Sequence, residues 1–183
     1  MTKTHMPARR KCFISYHHAD QTYVDTFIRT FDHQRNLLIA RGLGTEMAND
    51  VIDSTDTEYV MSRIRQQYLS DSTVTIVLMG QCTWARRYVD WEIQASLRSG
   101  ETVMPNGLLG VKLPTFTQFP DRFNSNLLPA GAAADTNFAG WIDYPQTEET
   151  LVNSIEWAFQ RRTTHTNRIN NPRDRMTYNR QCP

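Results

Sequence analysis

Cysteine is scarce in this chain. The 183 residues hold three, Cys12, Cys82 and Cys182, an odd number without C-x-x-C spacing, which suggests neither a disulfide framework nor a zinc site. Cys12 and Cys82 flank apolar runs and read as small buried side chains. No apolar run approaches the ~20 residues of a bilayer span, and the opening MTKTHMPARRK has no apolar segment of the kind a secretory leader needs, so a cytoplasmic location is expected. Neither sign of charge is in excess. Twenty basic and nineteen acidic residues leave a net charge of +1, which gives no electrostatic reason to expect nucleic acid or membrane as a partner. There is no G-x-G-x-x-G, which disfavours a redox dinucleotide enzyme. His17 and His18 are adjacent and His33 stands about four helical turns away, poor geometry for ligating a metal. Glu46, Asp50, Asp53 and Asp56 lack the alternation and central glycine of a calcium loop. No metal and no resident cofactor are expected.

What the chain has instead is alternation of short apolar runs with helical periods. Residues 11–16 (KCFISY), 37–40 and 74–79 (VTIVLM) read as strands, the last of them apolar on both faces. A fourth, 102–111, is interrupted at Pro105 and Gly107, and a fifth is 141–144. Between them, Asp20 is placed to cap a helix bearing Tyr23, Val24, Phe27, Ile28 and Phe31 on its core-facing side. Thr55 and Glu58 form a capping box before Val60, Met61, Ile64, Tyr68 and Leu69, and Pro145 and Thr147 open a last helix with Leu151, Ile155, Ala158 and Phe159 inward. The expected fold class is α/β, an open parallel five-stranded sheet with helices on both faces, in the flavodoxin-like order 2-1-3-4-5. Residues 1–10 read as an N-terminal extension and 11–162 as one domain, within which 112–140 is an irregular excursion. Residues 163–183 read as a basic tail, expected to be flexible because from Arg161 onward six arginines meet a single acid, Asp174.

In this order ligands bind between the carboxyl ends of the first and third strands. The loops there carry Ser15, Tyr16, His17 and Asp20 on one side, and Thr83, Trp84, Arg86, Arg87 and Tyr88 on the other. Thr83 is a possible N-cap for a helix of about 16 residues ending at Gly100. That helix has two apolar stripes, Val89, Ile93 and Leu97 against Trp84, Tyr88, Trp91 and Ala95. Glu92 falls between them, where it either pairs with Arg86 or Arg87, reaches solvent, or performs chemistry. The helix start and the two arginines suit a diphosphate. Trp84 serves either packing or the stacking of a base. Ser15 and Tyr16 are either ordinary strand ends or substrate contacts, and His17 and His18 read as surface residues before bases.

KCFISY with its polar turn, SDSTVTIVL, LMGQCTWARR and RRYVDWEI stand in the order and at the spacing found in the TIR family, which this chain resembles, above all the TIR-like proteins of bacterial Thoeris antiphage defence. Tyr88 stands where that family usually has tryptophan. The resemblance implies cleavage of the nicotinamide–ribose bond of NAD+, consumed as substrate, with Glu92 catalytic. Nicotinamide departs as a neutral molecule, so one carboxylate suffices where ordinary glycosides use two, and a carboxylate ionised at the reference pKa of ~4.3 can stabilise an oxocarbenium-like transition state. It further implies an ADP-ribose-derived signal, cyclic or conjugated, that activates a separate effector protein, a phage-derived trigger, and a homo-oligomer on activation. The competing implication is a TIR adaptor that assembles through its surfaces and catalyses nothing.

Overall fold

The computed structural model describes residues 8–42, 56, 59, 62–133 and 135–183. Five parallel strands, β1 (Arg10–Ser15), β2 (Leu38–Arg41), β3 (Val74–Met79), β4 (Gly107–Lys112) and β5 (Ala139–Asp143), form one sheet in the order β2-β1-β3-β4-β5. This is the expected flavodoxin-like order, with Ser15 in register with Val77 at the β1–β3 junction. Every residue of β3 is buried, as a central strand covered on both faces requires.

The helices are α1 (Gln21–Ile28), which continues as a π-helical stretch over Arg29–Gln34, π-helical α2 (Ile64–Leu69), α3 (Arg87–Ser96), α4 (Asp121–Asn124) and α5 (Glu148–Thr164). Alternate β3 side chains serve opposite faces. Ile76 and Leu78 pack with Val24, Phe27, Leu151 and Ile155, whereas Val77 and Met79 pack with Val89, Ile93 and Leu97. The second stripe of α3, Trp91 and Ala95, joins Phe13, Ile64 and Leu69 with Tyr88 against it. Both stripes legible in the sequence are therefore used, except that Trp84 of the second stands ahead of the helix in the 3-10 turn Thr83–Ala85.

Several boundaries differ from expectation, each for a local reason. Helix α3 starts at Arg87, because Arg86 is extended at φ −103° and ψ 120° and Thr83 lies in a 3-10 turn, its hydroxyl accepting from Gly80 N–H at 2.8 Å instead of capping a helix. The helix ends at Ser96, and Gly100 pairs with Val103 in a short antiparallel bridge. Strand β4 begins only at Gly107, since Pro105 has no N–H for the ladder and the Asn106 amide is drawn down to Ser72 Oγ at 2.8 Å. Gly107 is a close-approach position. A Cβ there would stand 2.0 Å from the Ala158 carbonyl oxygen of α5. Gly107→Ala is thus expected to push α5 off the sheet and to lower the unfolding free energy by about 1–3 kcal/mol or more, read as a fall in the urea midpoint; an unchanged midpoint would refute the direct helix-on-strand contact.

The excursion at 112–140 is more ordered than its sequence suggests. It carries α4 and the fully buried Phe123 and Phe138. Arg122, 1 % exposed, donates from Nε to Asp90 Oδ1 at 2.9 Å and from Nη2 to Asp90 Oδ2 at 3.2 Å.

The tail expected to be flexible is instead a strap that returns across α3. Its hydrogen bonds run from Asn170, exchanged with Asn126, through Asn171, Arg173 and Asp174, all three held by Arg122, to Met176, whose N–H donates to Asp90 Oδ2 at 3.0 Å. A disulfide between Cys82 and Cys182, 100 residues apart in sequence, fastens its end. Cys82 is therefore bonded and not an isolated core side chain, while Cys12 is free and buried. The strap is short of apolar side chains because it is held largely through main-chain carbonyls and asparagine amides. The acids Glu46, Asp50 and Asp53 and the Thr55–Glu58 capping box lie outside the described residues; Asp56 accepts from Tyr59 N–H at 3.2 Å.

Candidate functional site

The loops that follow β1 and β3 meet at the carboxyl ends of those strands. Ser15, the last residue of β1, is fully buried and donates its hydroxyl to Glu92 Oε2 at 2.6 Å. Glu92, from the second turn of α3, is 5 % exposed. It pairs with neither Arg86 nor Arg87. Without a cation, burial is the dominant influence and pushes the carboxyl up to about 8, the Ser15 hydrogen bond opposing it. The expectation of a carboxylate ionised at its ordinary pKa is thus corrected: in the free protein Glu92 holds its proton at neutral pH.

Around this pair the loops are fixed by a second acid. Asp20 precedes α1 but does not cap it; its carboxylate turns inward, accepting from Thr83 at 3.5 Å and Thr115 at 3.4 Å. Burial raises its pKa and these two hydroxyls oppose the rise. Three loops, after β1, β3 and β4, are joined at one carboxylate. Gly80 makes this possible, since a Cβ there would lie 2.2 Å from Asp20 Oδ1. Thr115 was invisible in the sequence because the excursion has no period to place it.

The remaining candidates divide. His17 is buried, with its pKa lowered to about 4 by burial first, then by Arg86 and His18; it is neutral at pH 7 and not a surface residue. Arg86 is thereby placed near His17, and its Nε is buried without a hydrogen-bond partner. No carboxylate among the described residues pairs with Arg86. Tyr16 is half-buried and donates to Gln21 Oε1 at 3.0 Å. Burial raises its phenol pKa, with the Glu92 charge contributing in the same direction. Ser15, Tyr16, His17, Arg86 and Glu92 therefore form one neighbourhood, with Asp20 and Thr83 bracing its walls.

The pattern of the family described as Thoeris protein ThsB, TIR-like domain, matches residues 13–118. The chain belongs to that family. None of the curated proteins compared with it matches. The match runs from β1 through β4 into the excursion and so contains every candidate site residue, but neither β5, α5 nor the strap. As a TIR-like domain of the Thoeris type, the chain has a role in Thoeris defence.

Three candidates of this TIR-like domain are engaged by groups other than Ser15 and Glu92. Trp84 is turned onto its own loop, its Nε1–H donating to the Gln81 carbonyl at 3.1 Å. Arg87 lies over Tyr88 and Trp91, 4.9 Å and 5.4 Å from their ring centres. Its Nη2 donates to the Tyr88 hydroxyl at 3.1 Å and its Nη1 to the Thr177 carbonyl of the strap at 3.4 Å. Tyr88 stands one turn ahead of Glu92 with its ring 5.3 Å from Trp91. The start of α3, expected to offer free N–H groups, is engaged by the strap, since Asn179 Oδ1 accepts from Arg87 N–H at 2.9 Å. No helix among the described residues is long and apolar enough to cross a membrane.

Proposed function

We propose that this TIR-like domain cleaves the nicotinamide–ribose bond of NAD+ and releases an ADP-ribose-derived nucleotide, cyclic or conjugated, that activates a separate effector protein in defence. The observation that carries this reading is the Ser15–Glu92 pair, a carboxyl buried at the sheet's ligand-binding crevice with a hydroxyl as its hydrogen-bond donor and no compensating cation. Such a group weakens the fold and is retained where chemistry needs it. The nicotinamide ring of NAD+ carries a positive charge. Its entry supplies the cation that Glu92 lacks, favours release of the Glu92 proton, and leaves the carboxylate to stabilise the cationic transition state in a site of low dielectric. Ser15 holds one carboxylate oxygen so that the other faces the ribose. Arg86, with an unbonded guanidinium nitrogen at the same loop, is suited to the diphosphate.

The test is nicotinamide release and product mass from NAD+, with wild type and Glu92→Gln side by side, alone and with lysate of phage-infected cells. Release from wild type only, with kcat/KM climbing toward a plateau above about pH 8 as free Glu92 ionises, is the expected result. No release under either condition from folded protein would reassign the chain as a non-catalytic adaptor.

A further inference from the structure

The strap is built in two parts of unequal strength. Its first half, Ile169 to Met176, is anchored in the interior: Ile169 packs on the Val89–Ile93 cluster, and the buried Arg122 and Asp90 side chains hold the backbone from Arg173 to Met176. From Thr177 onward the side chains are exposed, apart from a half-buried Cys182. This second half nevertheless grips the loop after β3 at Gln81 and Ala85, ahead of Arg86, and at Arg87 just after it. Arg180 N–H donates to the Ala85 carbonyl at 2.9 Å, and Gln81 Nε2 donates to the Pro183 carbonyl at 3.2 Å. Exposed polar contacts of this kind contribute little each. The covalent Cys82–Cys182 link is what makes the grip persistent.

We propose that this disulfide is a thiol-reducible latch on the candidate site. Latched, the strap holds Arg87 through Thr177 and Asn179, folds its guanidinium onto Tyr88 and Trp91, and immobilises the loop bearing Arg86. A dithiol reductant breaks the S–S bond, each sulfur taking one electron and one proton while the reductant closes to its own disulfide. The half-buried position of both cysteines leaves the bond open to such attack. The end of the strap then hinges away near Met176, its first half remaining docked. Arg87 and the Arg86 loop become free to close on an anionic substrate. Disulfides that serve reversibly in this way join partly accessible cysteines at moving segments, unlike framework bridges deep in small domains.

The regulatory claim rests on the proposed NAD+ cleavage, but the latch has its own readout. Hydrogen exchange is measured on the oxidised and dithiothreitol-reduced 183-residue chain, with non-reducing mass spectrometry confirming the gain of two hydrogens. Reduction is expected to speed exchange at residues 80–87 and 177–183 by about tenfold or more while 169–176 stays protected. Cys182→Ser is expected to behave as reduced under all conditions, and both unlatched forms to release nicotinamide faster from NAD+ by a similar factor. Equal exchange in the oxidised and reduced forms would overturn the latch. Faster exchange with unchanged, measurable turnover would overturn its regulatory role, and faster exchange with no turnover in any form would leave the latch standing and remove the NAD+ reading instead.

Discussion

Glu92→Gln is expected to be inactive and yet more stable than the parent at neutral pH. The Glu92 carboxyl titrates near 8 in the folded protein and has an ordinary value of 4.5. Below pH 4.5 both states keep the proton and no penalty exists. Between about 4.5 and 8 the unfolded chain releases a proton from Glu92 that the folded one retains, so this contribution falls as pH rises, the unfolding constant growing about tenfold per pH unit. His17, lowered in the fold from 6.5 to about 4, contributes the opposite slope up to 6.5, so the fall shows in full only between about 6.5 and 8. Above 8 both states are ionised and the penalty is constant. Removing the titration should therefore stabilise the variant by an amount on the order of 3 kcal/mol at pH 7, less whatever the buried amide N–H groups lose without partners. The variant should also lose the downward slope. Urea melts from pH 6.5 to 8 decide it, above the range in which His17 contributes: a wild type with a flat profile there, or a variant that is less stable at pH 8, would remove the argument that Glu92 is buried uncompensated.

The opposite sign is expected at Arg122. Its guanidinium is fully desolvated, bonds both oxygens of Asp90, and also donates to the Arg173 and Asp174 carbonyls and Asn171 Oδ1. Arg122→Met keeps much of the volume but strands Asp90 as a buried carboxylate and frees three acceptors at once. Breaking such a pair from one side costs about 3–5 kcal/mol, and the strap should gain exchange from Asn171 to Met176. Pairing the change with Asp90→Asn should recover part of the loss, because the uncompensated charge is then gone. A single variant that melts within about 1 kcal/mol of the parent would show that the strap and excursion are not organised around this ion pair.

These two residues mark what the sequence could and could not disclose. Glu92 was legible because α3 is periodic: Val89, Ile93 and Leu97 on one side and Trp91 and Ala95 on the other leave it between two buried stripes. The five strands and their order were legible for the same reason, since apolar runs and turn residues report burial directly. Its protonation was not legible. That depends on Ser15, 77 residues away in sequence, and on whether Arg86 or Arg87 turns toward it. Arg122 left no trace because a single arginine among prolines and phenylalanines belongs to no period, and its partner lies on another element. The strap misled for a related reason. Low apolar content reads as disorder when burial is taken to be the source of order, but here order comes from main-chain carbonyls meeting buried side chains, and from a bridge that sequence spacing cannot pair. Helix α3 starts late because the Thr83 hydroxyl is committed within its own loop, a tertiary choice that capping preference cannot foresee.

The bond from the Trp91 indole to the Met176 carbonyl, 2.9 Å long, gives the strap an optical signature. Trp91 is 4 % exposed, whereas Trp141 is 43 % exposed with Lys112 Nζ 3.3 Å above its ring, and Trp157 lies under the Arg161 guanidinium at 4.1 Å. Emission from Trp91 should therefore lie at the blue end of the chain's fluorescence while Met176 is seated. In a chain whose Trp84, Trp141 and Trp157 are replaced by phenylalanine, a red shift would report the moment the inner half of the strap lifts, and its absence during reduction would fix the hinge beyond Met176 in real time.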